Sequence, residues 1–501
     1  MNIAFEQCEK RMKEVASLAQ ASGLVHWDED TMMPERGLSA RAAQAEALSA
    51  VIHEKLVDHS LGDALRALAS DPSGLSDDQG VCVREWLRDH EKSAKLPEDL
   101  VRELASTCTM SRGAWVKARQ NSDFGLFAPW LEKTVELKRR QADCMGYSGV
   151  PYDALLDDYE PYMTCRELDP VMENLRAGLV PLAAAIADSG VAIDARVLSR
   201  RYPVDGQEKI ARAVMLAIGV DPAASRLDRS AHPFCSGIAP TDVRITTRYN
   251  ERMLTAALYG VIHESGHALY EQGLPEEHMG TPLAEAVSLG VHESQSRLWE
   301  NVVGRSRPFI AWILPKLKKL FARQLKGFGA EGFYRAVNMV RPSPVRVEAD
   351  EVTYNLHVVL RYEIEKALLA GEIESNELPA IWNERMVRYL GVRPANDAEG
   401  VLQDVHWSAG LFGYFPTYSL GNLYSAQWWR SIRREVRGVD KKIAGGDFGP
   451  VLGWLRKKIH CQGRRYPASE LCIRATGEPL CAQYFIDYLK AKYGDIYDIR
   501  L

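Results

Sequence analysis

The stretch "YGVIHESGHALYEQG", residues 259–273, contains two histidines four places apart, with a glutamate directly after the first. On a helix, His263 and His267 project from one face a single turn apart, about 40° from each other. Two imidazole nitrogens at that separation can reach one divalent cation, which lies about 2.0–2.1 Å from each nitrogen in a zinc site. The stretch therefore predicts a helix that carries a metal site.

Glu264 adds a base to this pattern. It lies about 100° around the helix from His263, where a carboxylate can reach a water on the metal without binding the metal itself. The competing interpretation is a polar helix face that binds no metal. A separate apolar face would anchor the helix, and its members are Leu254, Leu258, Val261, Ile262 and Leu269.

A third ligand is required, because catalytic zinc keeps three protein ligands and one open position for water. The candidates lie in "TPLAEAVSLGVHESQSRLWENVVG", residues 281–304, and are Glu285, His292 and Glu293. Glu285 and Glu293 differ by about 80° on a helix, so only one of them can point at the metal. Spacing alone does not choose among the three.

Helical periodicity dominates the rest of the chain. Segments 41–56, 99–120, 127–146 and 168–190 carry apolar residues at i, i+3, i+4 and i+7. The best strand is "DVRITTRY", residues 242–249, followed by Asn250 as a candidate N-cap of the metal helix. We expect one continuous unit over 1–501, with a helical lobe at 1–200 and the polar motifs at 230–425.

Composition describes an ordinary globular chain of 501 residues, 46% hydrophobic and 26% charged, with a net charge of −5. So small a charge gives no reason to expect a nucleic-acid or membrane partner. No apolar run approaches about 18 residues, and the N-terminus is typical of an amphipathic helix rather than a signal peptide. Nine scattered cysteines without a CxxC motif indicate reduced thiols and a cytoplasmic protein.

Six motifs follow one another along the chain: "HPF" at 232–234, "DVRITTRY" from 242, "HESGH" at 263–267, "HESQ" at 292–295, "VRVEAD" at 345–350 and "GYFPTY" at 413–418. With flanking runs such as "WDEDTMMP" and "YDALLDDYEP", the chain resembles the thermostable carboxypeptidase 1 (carboxypeptidase Taq) family of HExxH zinc metallocarboxypeptidases over nearly its whole length. An ordered set of motifs is far more specific than HExxH alone.

The resemblance implies a mainly α fold, a large helical gluzincin-like metallopeptidase body with a small β-sheet beside a long substrate groove. The family forms a homodimer and usually holds Zn²⁺, for which Co²⁺ can substitute. Its metal ligands match His263, His267 and Glu293, and its general base matches Glu264. A member would remove single amino acids, with broad specificity, from peptides that have a free C-terminus.

The tyrosines of "GYFPTY" are the predicted electrophilic donors. When metal-activated water attacks a peptide carbonyl, Glu264 takes the water proton, and the developing oxyanion needs a positioned donor as well as the metal. A phenol hydroxyl is such a donor in neutral form. The resemblance therefore implies a catalytic contact from Tyr414 or Tyr418, and the sequence does not choose between them.

Recognition of a free C-terminus requires a carboxylate-binding group, and arginine provides one through its planar fork. In "PSPVRVEADEVTYNLHVVLRYE", residues 342–363, Arg346 matches the family's arginine and is the leading candidate. Arg341 and Arg361 are nearby alternatives. Any of these arginines could instead pair with Glu348 or Asp350 for structural reasons.

The strand before the metal helix supplies weaker candidates. In related metallopeptidases such a strand edge pairs with extended substrate. Arg244 could contact substrate there, or it could pair with Asp242 and shape the groove. His232 could line the pocket or be an ordinary loop histidine, and His357 could support the site or lie in the core.

Two other functions stay open. An endo-acting metallo-oligopeptidase would share the metal chemistry but would lack carboxylate recognition. A non-catalytic helical interaction protein would have no use for Glu264 as a base. A zinc aminopeptidase is disfavoured, since the chain has no GxMEN-type stretch to hold a free amine.

Overall fold

The computed structural model describes residues 2–500 and is built almost entirely of helices. Its α-helices are α1 (Ile3–Thr31), α2 (Leu38–Leu56), α3 (His59–Ser70), α4 (Asp77–Ala94), α5 (Glu98–Asn121), α6 (Ala128–Met145), α7 (Pro151–Leu156), α8 (Cys165–Asp188), α9 (Val204–Ala217), α10 (Leu254–Glu271), α11 (Leu289–Arg297), α12 (Arg307–Leu320), α13 (Ala330–Val337), α14 (Tyr354–Ala370), α15 (Leu378–Leu390), α16 (Pro416–Glu435), α17 (Val439–Ala444), α18 (Gly449–Lys458), α19 (Ala468–Thr476) and α20 (Ala482–Tyr497). The predicted mainly α fold is confirmed. Within the described residues, no helix is both long enough and apolar enough to cross a lipid bilayer.

The four periodic segments predicted to be helical correspond to α2, α5, α6 and α8. The helix that carries the HExxH motif is α10, and it begins at Leu254 rather than after Asn250. The predicted cap is wrong because the Asn250 side chain accepts a hydrogen bond from the backbone N–H of Arg252, which closes a turn before the helix starts.

A single small sheet precedes α10 and consists of β1 (Ser225–Arg229), β2 (Cys235–Ala239) and β3 (Asp242–Thr247), in the order β1-β3-β2. The predicted strand is present, and Val243 and Ile245 are buried, as the alternation of apolar and polar residues along it predicts. However, β3 pairs in parallel with β1 and antiparallel with β2. The suggestion that this strand offers a free edge is therefore wrong, since the edges belong to β1 and β2.

Two clusters of buried residues organise the molecule. The larger one runs from Ala118 on α5 to Tyr497 on α20 and includes residues of α10, α11, α14 and α16. The smaller one joins α1, α3 and α4, with Leu283 from the loop before α11. The N-terminal helices thus pack around a core of their own.

Adjoining cavities form a groove between these two parts. Cavities of about 650, 490 and 290 Å³ share lining residues from one to the next. The smallest lies between α1 and the β2 edge and reaches Glu271 at the end of the HExxH helix. The groove therefore lies beside the sheet, as predicted, and one end of it meets α10.

Candidate metal centre

The candidate metal centre depends on a close contact between α10 and α11. A Cβ atom placed on Gly266 would lie 2.6 Å from the carbonyl oxygen of Gln295 and 2.6 Å from the Cα of Ser296. Only glycine permits this approach of two backbones. On the other side of α10, the five predicted anchor residues are fully buried: Leu254, Leu258, Val261, Ile262 and Leu269.

The contact brings both histidines to Glu293. The Nε2 atom of His263 lies 3.7 Å from Oε2 of Glu293, and that of His267 lies 3.4 Å from the same oxygen. One ligand atom from each residue lies within 4.8 Å of the other two. Ligand atoms that each lie about 2.0–2.2 Å from a tetrahedral ion are roughly 3.4 Å apart, so the three groups fit a divalent cation.

The other candidate ligands lie elsewhere. Glu285 is half exposed and pairs with Arg464, its Oε2 being 2.9 Å from Nη1. His292 stands behind His267 rather than beside it, with the two Nδ1 atoms 2.6 Å apart. Of the three candidates that spacing left open, Glu293 is the one that converges with the histidine pair.

Hydrogen bonds behind the histidines fix their tautomers. Nδ1 of His263 lies 2.9 Å from Oε2 of Glu300, which can only accept, so this ring carries its proton on Nδ1. Nε2 of His292 lies 2.8 Å from a Glu271 oxygen and must donate there, which leaves its Nδ1 to accept from His267. Both Nε2 lone pairs are thereby free on the side of Glu293, as metal ligation requires.

Glu293 is itself held by neighbours. Its Oε1 accepts a hydrogen bond from Nε of Arg297 at 2.6 Å, and its Oε2 accepts one from the Ser296 hydroxyl. Burial works to raise the pKa of this carboxyl, but Arg297 and the histidines outweigh it and hold the pKa well below its ordinary value. Arg297 and Glu300 were missed by sequence reasoning, although both lie on the Glu293 face, four and seven places along.

Glu264 lies beside the three predicted ligands with its carboxylate uncommitted. The residue is buried, and among residues 2–500 its side chain has no hydrogen-bond partner. Burial raises the pKa of this carboxyl to about 7, with a small opposing effect from His263. A carboxylate with that proton affinity, next to a predicted metal site, is suited to accept a proton and release it again.

Tyr414 and Tyr418 enter the site from the start of α16. This helix packs closely on α11, since a Cβ atom on Gly421 would lie 2.5 Å from Cγ of Glu293. The two tyrosine rings are 5.4 Å apart. Burial, together with neighbouring groups that include Glu293, raises the pKa of both hydroxyls, so they remain neutral hydrogen-bond donors.

Arg346 lies next to the tyrosines, with its guanidinium carbon 5.0 Å from the Tyr418 ring centre. The alternative interpretation, an ion pair with Glu348 or Asp350, is absent from the ion pairs of residues 2–500. Nε and Nη2 donate to Asp404 instead, and Nη1 donates to the Tyr354 hydroxyl. Arg361 also binds Asp404 and is fully buried, whereas Arg341 is exposed.

His406 is a further neighbour of Tyr418 that sequence reasoning missed. Its Nε2 lies 3.3 Å from the Tyr418 hydroxyl, and its ring packs on Phe415 with centroids 4.5 Å apart. Burial lowers the pKa of this imidazole to about 4, so the ring is neutral at pH 7. The sequence feature that could have identified His406 is its position in "QDVHW", close to "GYFPTY".

The weaker candidates are placed as follows. Arg244 donates to Asp242 through both Nε and Nη2 and stacks on Trp27 of α1, 4.7 Å from the ring centre. His232 is exposed on the loop between β1 and β2. His357 is fully buried, and its Nε2 lies 3.1 Å from the carbonyl oxygen of Ser343. Within residues 2–500, none of the three side chains forms a hydrogen bond or an ion pair with the three predicted metal ligands.

Comparison with known proteins agrees with this geometry. Residues 7–493 match the model of the family described as carboxypeptidase Taq (M32) metallopeptidase. The chain belongs to this family. It is 44% identical over 506 aligned positions to thermostable carboxypeptidase 1 of Thermus thermophilus, with 99% of each chain covered. It is 38% identical to carboxypeptidase 1 of Bacillus subtilis, with 97% of each covered.

Solved structures of M32 enzymes share the fold. The crystal structure of the M32 carboxypeptidase from Deinococcus radiodurans R1 superposes with a TM-score of 0.97 at 39% identity, covering 99% of this chain and 100% of that one. As a member of the M32 family, the protein is a metallocarboxypeptidase, and its activity depends on a divalent metal. The predicted family, fold and enzyme class are confirmed.

Proposed function

We propose that this M32 enzyme removes single amino acids, with broad specificity, from the free C-terminus of peptides at a metal held by His263, His267 and Glu293. The observation that carries the proposal is the convergence of two Nε2 lone pairs and one carboxylate oxygen, with 3.7 and 3.4 Å between the nitrogens and Glu293. Two imidazoles and a carboxylate, with a fourth position left for solvent, form the ligand set of catalytic zinc peptidases. Zn²⁺ is therefore the proposed resident ion, and Co²⁺ a substitute.

Each of the proposed catalytic residues has a separate role in the reaction. When bound, the cation acidifies a water molecule and polarises the scissile carbonyl. Glu264 accepts the water proton on its carboxylate and delivers it to the departing amine nitrogen. The hydroxyl of Tyr414 or Tyr418 donates a hydrogen bond to the carbonyl oxygen as it gains negative charge. Neutral tyrosine suits this role, because it adds a donor without a fixed charge.

Arg346 is the proposed receptor for the terminal carboxylate of the substrate. A guanidinium has five N–H donors, and three of them are engaged by Asp404 and Tyr354, which leaves two. One remaining donor is on Nη1 and the other on Nη2, a pair that matches the two oxygens of a carboxylate. Asp404 fixes the guanidinium plane, so that less side-chain entropy is lost on binding.

The groove supplies the remaining contacts of the proposal. The β2 edge, rather than β3, borders the cavity that reaches Glu271, so its unpaired backbone groups can bind an extended peptide. Arg244 supports this wall by holding Trp27, and His232 lies on the loop that leads into β2. The homodimer and the cytoplasmic location belong to the same proposal, the latter supported by nine unpaired cysteines.

Two peptides of identical sequence test the proposal, one with a free C-terminal acid and one with a C-terminal amide. We expect the metal-loaded enzyme to shorten the free acid one residue at a time and to leave the amide intact. Equal internal cleavage of both peptides would establish an endo-acting oligopeptidase. Turnover of neither peptide, with metal bound, would refute catalysis at this centre.

A further inference from the structure

Glu365 is a fully buried carboxylate on α14 that lies outside the metal centre. Its Oε2 accepts hydrogen bonds from the Tyr152 hydroxyl at 2.8 Å and from the backbone N–H of Gly413 at 3.1 Å. Its Oε1 accepts one from Nε1 of Trp407 at 2.9 Å. Among residues 2–500 no arginine or lysine forms an ion pair with it, so three neutral donors share one buried carboxylate.

These three donors come from two parts of the chain, and two of them belong to the 407–413 segment, which directly precedes Tyr414. Trp407 lies on a short 3₁₀ turn, and Gly413 directly precedes Tyr414. Tyr152, the third donor, lies on α7. Glu365 therefore binds the 407–413 segment to α7 through a single side chain.

Gly413 has almost no freedom to move away from this position. Its φ is 88°, in the left-handed region that favours glycine. A Cβ atom there would lie 2.7 Å from the carbonyl carbon and oxygen of Leu155 on α7. Gly413, the residue before Tyr414, is thus held between α7 and the Glu365 carboxylate.

The fixed position of Gly413 constrains where the ring of the next residue, Tyr414, lies. The ring packs edge-on against Tyr159, with centroids 5.1 Å apart, and against Tyr418. The backbone N–H of Gly413 is committed to Glu365, which leaves the Tyr414 hydroxyl as the donor that this segment can offer to a substrate oxygen. An error of about 1 Å in the position of such a donor costs roughly 100-fold in rate.

We infer that Glu365 is a positioning residue for catalysis, which fixes the 407–413 segment so that the Tyr414 hydroxyl meets the scissile carbonyl. The inference rests on the proposed function, because it assumes that Tyr414 donates to the substrate. In a purely structural role, Glu365 would affect folding stability but would not act on turnover through one particular hydroxyl.

Glu365→Gln tests the inference, since the amide group turns an acceptor into a donor that faces another donor. In the metal-loaded enzyme we expect kcat to fall roughly 10- to 100-fold, KM to change less than about 3-fold, and zinc affinity in competition with a chelator to stay unchanged. The matched control is Glu363→Gln on the same helix, whose carboxylate pairs with Arg176 and Arg385. This control should keep the parental kcat.

A double-mutant cycle with Tyr414→Phe decides between the two roles. If Glu365 acts through Tyr414, the double variant will turn over at the rate of Tyr414→Phe alone. Multiplicative losses, or an unchanged kcat in Glu365→Gln, would overturn the inference and leave Tyr414 in its proposed role. An unchanged kcat in Tyr414→Phe would overturn both the inference about Glu365 and the assignment of Tyr414 as the donor. If Glu365→Gln does not fold, Tyr152→Phe removes one of the three donors and must show the same non-additivity with Tyr414→Phe.

Discussion

Nδ1 of His292 lies 2.6 Å from Nδ1 of His267, so the second predicted ligand is in contact with a residue outside the predicted ligand set. The far nitrogen of His292 is held by Glu271, which lies on α10 one turn after His267. Because Glu271 accepts a hydrogen bond from Nε2 of His292, the pair of histidines stays in one tautomeric arrangement. His263 has a carboxylate, Glu300, in the corresponding position. The two predicted ligands are therefore oriented by different groups, a histidine behind His267 and a carboxylate behind His263.

His292→Ala should lower zinc affinity by about 10- to 100-fold, because His267 loses the acceptor that keeps its proton on Nδ1. The measurement is competition with a chromogenic chelator at fixed pH. His53→Ala on α2, an exposed histidine, is the matched control and should leave zinc affinity unchanged. Parental affinity in His292→Ala would mean that the histidine contact does not orient the ligand.

Gly266→Ala should disrupt the metal centre by forcing α10 and α11 apart. The added methyl would meet backbone atoms of Gln295 and Ser296 at 2.6 Å, and backbone cannot move aside as a side chain can. We expect a loss of several kcal/mol in the free energy of unfolding and weaker zinc binding.

Gly453→Ala on α18 is the control for that substitution, because nothing lies within 4 Å of a Cβ atom there. It should raise the free energy of unfolding by up to about 1 kcal/mol, since alanine is the better helix former. Urea unfolding of both variants gives the comparison. Equal stability of the two would show that the α10–α11 contact tolerates a side chain.

Sequence reasoning located the histidine pair and Glu264 because helical periodicity alone places residues four apart on one face. It left three candidates for the third ligand, Glu285, His292 and Glu293, since the distance of each from α10 depends on how α11 packs. That packing is set by Gly266 and Gly421, whose role appears only once two backbones are seen in contact. Local pattern thus identified the helices and the candidate residues, and tertiary packing determines which candidate lies next to the histidine pair.

Partners from distant parts of the chain were harder to predict. Arg346 was expected to pair, if at all, with Glu348 or Asp350, but its partner is Asp404, more than fifty places along. The central position of β3 was missed for the same reason, because β1 and β2 are short strands with little alternation of their own. Short-range pattern does not determine which strand lies at an edge.

Glu264→Gln should retain zinc and nearly abolish turnover. The amide has the shape of the carboxylate but cannot accept the water proton, so binding of metal and peptide survives while the chemical step fails. Metal analysis of the purified variant and kcat on the free-acid peptide are measured together. Glu276→Gln, in an exposed 3₁₀ turn, is the control. Substantial activity in Glu264→Gln would refute its assignment as the base.

Glu160, which is not one of the predicted ligands, is expected to make folding stability depend on pH. It is fully buried, and it accepts a hydrogen bond from the backbone N–H of Gly290 at the start of α11. Burial raises the pKa of this carboxyl from 4.5 to about 7, although its hydrogen bonds with Ser288 and Gly290 oppose the shift. Between those two pH values the folded chain keeps a proton that the unfolded chain has released.

The free energy of unfolding should therefore fall as pH rises through this window, by about 3 kcal/mol from Glu160 alone. Glu160→Gln cannot ionise, so its stability relative to the parent should rise between pH 4.5 and pH 7 and then level off. Urea midpoints of the two proteins at a series of pH values measure that difference. Glu372→Gln, at an exposed carboxylate, should show no such trend. A constant difference between Glu160→Gln and the parent across the series would mean that Glu160 has the same pKa in the folded and the unfolded protein.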